Sequence, residues 1–158
     1  MNDFIFRPAR AGDLEAIVDF NARLAMETEH RVLNPHHLRP GVAAVLADAV
    51  KGSYFVAENG EYVVGQLLLT FEWSDWRNGR FWWIQSVYVK SEFRGRGVLR
   101  GLVGYVRELA RQEKNVCGLR LYVEKKNLRA QQAYEKLGIK RAHYEVFEDD
   151  FVYGPAAS

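Results

Sequence analysis

Cysteine is almost missing from this chain of 158 residues, with Cys117 standing alone. A single thiol closes no intramolecular disulfide and cannot supply the cysteine-rich ligand set of a structural zinc or iron–sulfur site. Such usage suits a reducing cytoplasm, which is the expected location. Histidine occurs four times. His36 and His37 adjoin in a polar stretch, and His30 and His143 lie elsewhere, so the i, i+4 spacing of a metal site does not occur and no metal is expected. Long apolar runs are lacking too. The stretch 62–71 is broken by Gly65 and Gln66 and falls short of the roughly 18 residues a membrane span needs. Asp3, Arg7 and Arg10 interrupt the N-terminus before any signal-peptide core forms. Charge of one sign is not in excess: 22 Lys and Arg face 20 Asp and Glu, a net of +2. That balance argues against a protein that coats nucleic acid or an anionic membrane through bulk charge. Neither partner is expected, and any anion site must be local.

What is present points to a packed core. Apolar residues make up 48% of the chain and aromatic residues 13%, and the length fits one domain of about 150 residues. Residues 1–154 are expected to form it, with 155–158 a frayed tail and no linker or internal repeat. Phe4, Ile5 and Phe6 predict a short strand closed by Pro8. Asp13 then stands as N-cap to a helix whose apolar stripe runs Leu14, Ile17, Val18, Leu24 and Ala25, interrupted by Asn21. A polar break over 27–39 precedes a second helix opened by Pro40. From Ser53 the period becomes that of strands. Asn59–Gly60 predicts a tight turn with two positive-φ positions, and Asn78–Gly79 closes a second connection, giving three antiparallel strands that end near Val89. A long helix comes next, with Val98, Leu102, Val103, Val106, Leu109 and Ala110 on one face. Leu119, Leu121 and Val123 alternate as a further strand, a helix from Leu128 to Leu137 stops at Gly138, and Tyr144, Val146, Phe147 and 151–153 predict final β structure.

The segment Arg94–Gly95–Arg96–Gly97 is a candidate anion site. Passing from a strand through a glycine turn into a helix brings unpaired backbone N–H groups and the positive end of the helix dipole to one place. Lys90, Arg94, Arg96 and Arg100 face Glu92 alone, so much of the net positive charge is gathered here. The positions Gly95, Gly97 and Gly101 do not reproduce the Gly-x-Gly-x-x-Gly of a dinucleotide fold, and the chain has no Gly-Lys-Ser/Thr of a P-loop after them.

Three groups of residues together resemble the GNAT superfamily of acyl-CoA-dependent N-acetyltransferases. They are Val87–Tyr88–Val89, then Arg94–Gly95–Arg96–Gly97–Val98, then Asn127 with Ala130, Tyr134 and Gly138–Ile139. Element order agrees over nearly the whole chain. The resemblance implies a mixed α/β (α+β) fold, a mostly antiparallel sheet of six to seven strands with helices on both faces. It also implies acetyl-CoA as cosubstrate, bound in a V between the third hairpin strand and the strand at Leu119. By the same resemblance Arg94, Gly95, Arg96, Gly97, Val98 and Leu99, with Arg100, receive the pyrophosphate. Val87 and Val89 pair with the pantetheine arm, Asn127 hydrogen-bonds it, and Tyr134 protonates the departing thiolate. Leu99 departs from the family's usual Gly or Ala at that position.

On the acceptor side an alkylamine is protonated at neutral pH, so a carboxylate or water must take a proton before attack. Glu72, at a strand end, is the leading base and Asp75 the reserve. Glu27 and Glu29 are expected to hold a cationic amine, and Trp73, Trp76, Phe81, Trp82 and Trp83 to supply walls or a homodimer contact. Cys117 has no histidine near in sequence, which favours direct transfer in a ternary complex over an acyl-enzyme. The expected reaction is transfer of acetyl to a primary amine of a small molecule or peptide. Two rivals are a non-catalytic acyl-CoA sensor and a nucleic-acid module using the arginines at 94–100.

Overall fold

The strand-period region from residue 53 to 89 forms the middle of the sheet in the computed structural model, which describes residues 3–155. Of the tail expected to fray, only Pro155 lies among them. The order is β1 (Ile5–Pro8), α1 (Leu14–Glu29), α2 (Pro35–Ala47), β2 (Ser53–Asn59), β3 (Tyr62–Ser74), β4 (Gly79–Val89), α3 (Val98–Gln112), β5 (Val116–Arg120) and α4 (Leu128–Lys136). The strands lie in the sheet in chain order. β1 to β4 are antiparallel neighbours, and β5 joins β4 in parallel through the α3 crossover.

Period-two alternation divides the core between the two sheet faces. Phe55, Ala57, Leu67, Leu69 and Ile84 pack against Val98, Leu102, Val103 and Val106 of α3. Tyr54, Val56 and Leu68 pack against Ile17 of α1 and Val42 of α2. Gly65 and Gly101 permit the close approaches on the α3 face. A Cβ at Gly65 would lie 2.9 Å from the Val98 side chain, and one at Gly101 would fall 1.9 Å from the Phe6 ring.

Several expectations are corrected. The sheet has five strands among the described residues, not six or seven. Residues 140–155 contain no strand, although Tyr144, Val146, Phe147, Phe151 and Val152 carry β-favouring side chains, and all five are exposed. Backbone with no ladder partner cannot settle as a strand whatever its propensity. The second helix opens at Pro35, with Asn34 as N-cap accepting from His36 N–H at 2.9 Å, and Pro40 lies inside it. Pro40 falls in the second turn, where its ring removes the hydrogen bond that a residue there would donate to the His36 carbonyl. The strand expected around Leu119–Val123 starts earlier and stops at Arg120. At the first hairpin Gly60 takes a positive φ of 63° and Asn59 does not.

Candidate functional site

β4 and β5 pair from Arg80 opposite Val116 to Trp83 opposite Arg120, and there the ladder stops. Beyond Trp83 the outer edge of β4 has no strand beside it among the described residues. Lys90 N–H donates to Val64 on β3 at 2.9 Å. By alternation Tyr88 faces β3 as well, so Val87 and Val89 turn their N–H and C=O groups toward the open edge. The Val89 carbonyl accordingly accepts Arg94 Nε at 2.8 Å. The phase of β4 shifts at a bulge between Gln85 and Tyr88, where Ser86 adopts φ 49°. Positive φ at a residue other than glycine stores strain and is held by its surroundings.

After a short turn at Ser91–Phe93, residues 94–97 lead into α3. Gly95 and Gly97 have φ of 73° and 90°, which glycine adopts without penalty, and Gly97 is the N-cap of α3. No atom lies within 4 Å of a Cβ at either glycine, so the turn presents bare backbone to open space. Val98 is buried in the core, and Leu99 turns its side chain partly against the same core while still lining the groove. Arg94 is drawn sideways: its Nη2 donates to Glu27 at 2.7 Å and its guanidinium lies over Tyr88. Arg96 stacks on Phe93, and Arg100 is exposed at the groove.

α4 forms the opposite wall. Asn127 is its N-cap, its Oδ1 accepting from Ala130 N–H at 3.1 Å, which leaves the Nδ2 group for another partner. The helix closes in a Schellman arrangement, with Ile139 N–H donating to Tyr134 O and Gly138 N–H to Glu135 O, both at 3.0 Å. That closure fixes Tyr134, which is 9% exposed and lines the groove. Burial pushes its phenol up to about 12, so it is a proton donor at neutral pH.

One groove of about 2700 Å³ brings together Val87, Val89, Arg94, Gly95, Gly97, Val98, Leu99, Arg100, Asn127, Tyr134, Glu27, Glu29 and Glu72. Arg96, Trp73 and Asp75 do not line it. Trp73 and Asp75 instead border a neighbouring depression of about 230 Å³ with Glu72, Arg120 and Tyr144. Glu72 Oε1 accepts Arg120 Nη1 at 2.6 Å, and the same guanidinium lies 3.7 Å from the Phe81 ring centroid. Among the described residues no cluster of three or more His, Cys, Asp or Glu could hold a metal, and no helix is long and apolar enough to cross a membrane.

The profile of the Acetyltransferase (GNAT) family matches residues 22–139. The chain belongs to the GNAT acetyltransferase family. A possible acetyltransferase from Clostridium difficile 630 is 43% identical and superposes with a TM-score of 0.87 over 95% of this chain and 99% of its own. The thialysine N-epsilon-acetyltransferase of Bos taurus is 39% identical over 79 residues, half of this chain and 45% of that protein. This chain therefore spans less than half the length of that curated relative. AAC(6')-Iy, solved with the bisubstrate analogue CoA-S-monomethyl-acetylneamine, is 15% identical with a TM-score of 0.74 over 94% of this chain and 98% of its own, a likeness of fold. The GNAT fold thus places its glycine turn and its α4 tyrosine on one groove.

Sequence reasoning missed the polar side chains behind β4. Gln66, Asn21 and Tyr54 form a buried chain of hydrogen bonds. Their only signal is that Asn21 breaks the apolar stripe of α1 and Gln66 breaks the apolar run of β3.

Proposed function

We propose that this protein is an N-acetyltransferase that moves acetyl from acetyl-CoA to a primary amine of a small molecule or peptide, by direct attack in a ternary complex. The observation that carries the reading is the position of Tyr134, a protonated phenol on the same groove as the bare backbone turn at Gly95–Leu99. Relatives that carry N-acetyltransferase names, and a neighbour of the same fold holding a CoA-based bisubstrate analogue, support it.

The turn fits the cosubstrate on its own terms, because backbone N–H groups at a helix N-terminus with no side chain over them suit a pyrophosphate. Arg94 and Arg100 add positive charge at its rim. When bound, acetyl-CoA supplies an activated thioester. Val87 and Val89 offer outward backbone groups along the open edge of β4, and Asn127 lines the same groove from α4, so the arm lies in the gap between β4 and β5. Val87 N–H polarises the reacting carbonyl, and Tyr134 gives its proton to the departing sulfur. The amine proton leaves through Glu72 or water, and Glu29, with Glu27, draws the cationic acceptor in. Trp73 and Asp75 border the outer part of that acceptor region. The protein works in the cytoplasm on this reading, and the exposed Trp73 and Trp76 serve a homodimer contact.

Calorimetric titration of acetyl-CoA into the wild type and a Gly97→Glu variant tests the cofactor half. Micromolar binding lost in the variant is expected, and an amine panel read by thiol release then tests turnover. Binding without turnover of any amine would favour an acyl-CoA sensor, and failure of the wild type to bind would end the reading.

A further inference from the structure

We propose that Gln66 is a positioning residue of the transfer site, a buried clamp that holds the Ser86 bulge of β4 and so sets the direction of Val87. The proposal rests on the acetyl-transfer reading for its kinetic consequence and on the fold alone for its structural one.

Gln66 is fully buried on the α1 face of β3. Its Nε2 donates to the Ser86 carbonyl and to Asn21 Oδ1, each at 3.0 Å. Asn21 in turn donates from Nδ2 to the Tyr54 hydroxyl at 3.1 Å. A backbone carbonyl in a regular strand points along the sheet to its neighbour, whereas that of Ser86 is taken up by a side chain. The bulge has therefore tipped this carbonyl out of the ladder, and Gln66 satisfies it. Both amide hydrogens of Gln66 are spent on acceptors, which leaves its Oε1 buried without a partner. An orphaned buried oxygen is costly, so the side chain keeps this orientation because its two donor bonds outweigh that cost.

The clamp matters because Val87, the neighbour of Ser86 in the chain, borders the gap. Pairing opposite Leu67 skips one residue of β4, and this shift decides that Val87 and Val89 face the gap while Tyr88 faces β3. Without the bulge the alternation would reverse and turn Val87 back into the ladder. Ser86 is not glycine, so its φ of 49° needs an external hold: Gln66 bonds its carbonyl, and the Tyr54 hydroxyl at the far end of the same network hydrogen-bonds its side chain. Asn21 sits six residues before Glu27 on α1, so the same network ties the acceptor-side helix to the strand beside the thioester.

The test uses Gln66→Met, which keeps length and removes both donors, together with Asn21→Ala, which leaves Gln66 but frees its amide to swing. Misplacing a reacting group by about 1 Å costs on the order of 10²-fold, so Gln66→Met should lower kcat by about that factor. KM for acetyl-CoA should stay within about 3-fold, because the phosphate turn lies elsewhere. Asn21→Ala should move kcat in the same direction by less. Hydrogen exchange of residues 86–88 should rise in both variants while that of 102–110 in α3 stays unchanged. Adding Ser86→Gly to Gln66→Met should restore part of kcat, since glycine holds positive φ unaided. If Gln66→Met does not fold, Asn21→Ala carries the same readouts. Wild-type kcat in the variants, or unchanged exchange at 86–88, overturns the clamp. A wild type that transfers no acetyl overturns the functional reading instead, and the exchange measurement then decides the clamp alone.

Discussion

Glu27 and Arg94 are joined across the groove, with Arg94 Nη2 donating to Glu27 Oε2 at 2.7 Å, so that the last turns of α1 are tied to the turn before α3. The Tyr88 hydroxyl, 3.3 Å from Glu27 Oε1, completes the contact. A residue expected to bind the acceptor and one expected to bind phosphate thus hold each other.

Both partners are about a third or more exposed, at 45% and 33%, so the pair contributes only ~0–1 kcal/mol. Glu27→Gln removes a carboxylate that competes for Arg94 and should tighten acetyl-CoA binding by roughly 2–5-fold. In an Arg94→Gln background the same change should have no effect, because the competition is gone. Calorimetry on the four proteins of this cycle measures it, and equal effects in both backgrounds would show the pair irrelevant to the cosubstrate.

Tyr134→Phe should lower kcat by about 10²–10⁴-fold and leave acetyl-CoA affinity nearly unchanged, as loss of a proton donor requires. Because burial holds the phenol near 12, it remains protonated through neutral and mildly basic pH. The wild-type kcat profile should therefore show no falling limb attributable to this residue below about pH 10. A falling limb in that range that disappears in Tyr134→Phe would assign the phenol a different ionisation and sink this role.

Gly101→Ala places a methyl group where the Phe6 ring already stands. The gain in helix propensity, about 1 kcal/mol, is opposed by overpacking of about 1–3 kcal/mol, so a net fall in Tm is expected. Phe6→Leu in the same chain should recover most of it. Differential scanning calorimetry decides, and a Tm that rises in the single variant would show that Phe6 moves aside without cost.

Asp13 links stability to acid. Its burial pulls the carboxyl upward, but Arg7, donating from Nη1 and Nη2 at 2.8 and 3.0 Å, and Arg10 N–H at 2.6 Å together hold it below the ordinary value. Arg7 is shared with Glu58 on β2, so the bond fastens β1 to its neighbour and to the start of α1. The folded pKa is lower than the unfolded one of about 3.9. This contribution is thus complete above that value and is lost as pH falls through the folded value. Urea midpoints measured between about pH 6 and pH 2 should fall less steeply in Asp13→Asn than in the wild type.

Where local chemistry dictates geometry, the sequence is readable. Gly97 before an amphipathic run predicts the start of α3, and Gly138 after Leu137 predicts the end of α4, because these features involve neighbours in the chain. Tyr144, Val146 and Phe147 mislead for the complementary reason. Their pattern is that of a strand, yet a strand exists only if another edge receives it. Pro40 misleads because a proline opening a helix and one in its first turns have the same composition around them, and the helix starts instead at Asn34–Pro35. Ser86 gives no warning at all, since a serine at positive φ is held by Gln66 and Tyr54, twenty and thirty-two residues away. Asn21 and Gln66 are visible singly as polar breaks in apolar patterns, but their meeting depends on α1 lying over β3.

The one parallel step in the sheet also orders assembly. β2, β3 and β4 succeed one another through tight hairpins, whereas β5 reaches β4 only after α3 has crossed the sheet. Contacts between residues distant in sequence form late, because loop closure must precede their reward. The groove between β4 and α4 is therefore completed by the last third of the chain. A nascent chain ending before Val116 has the hairpins and the glycine turn but neither β5 nor Tyr134, and so passes through synthesis without a working site.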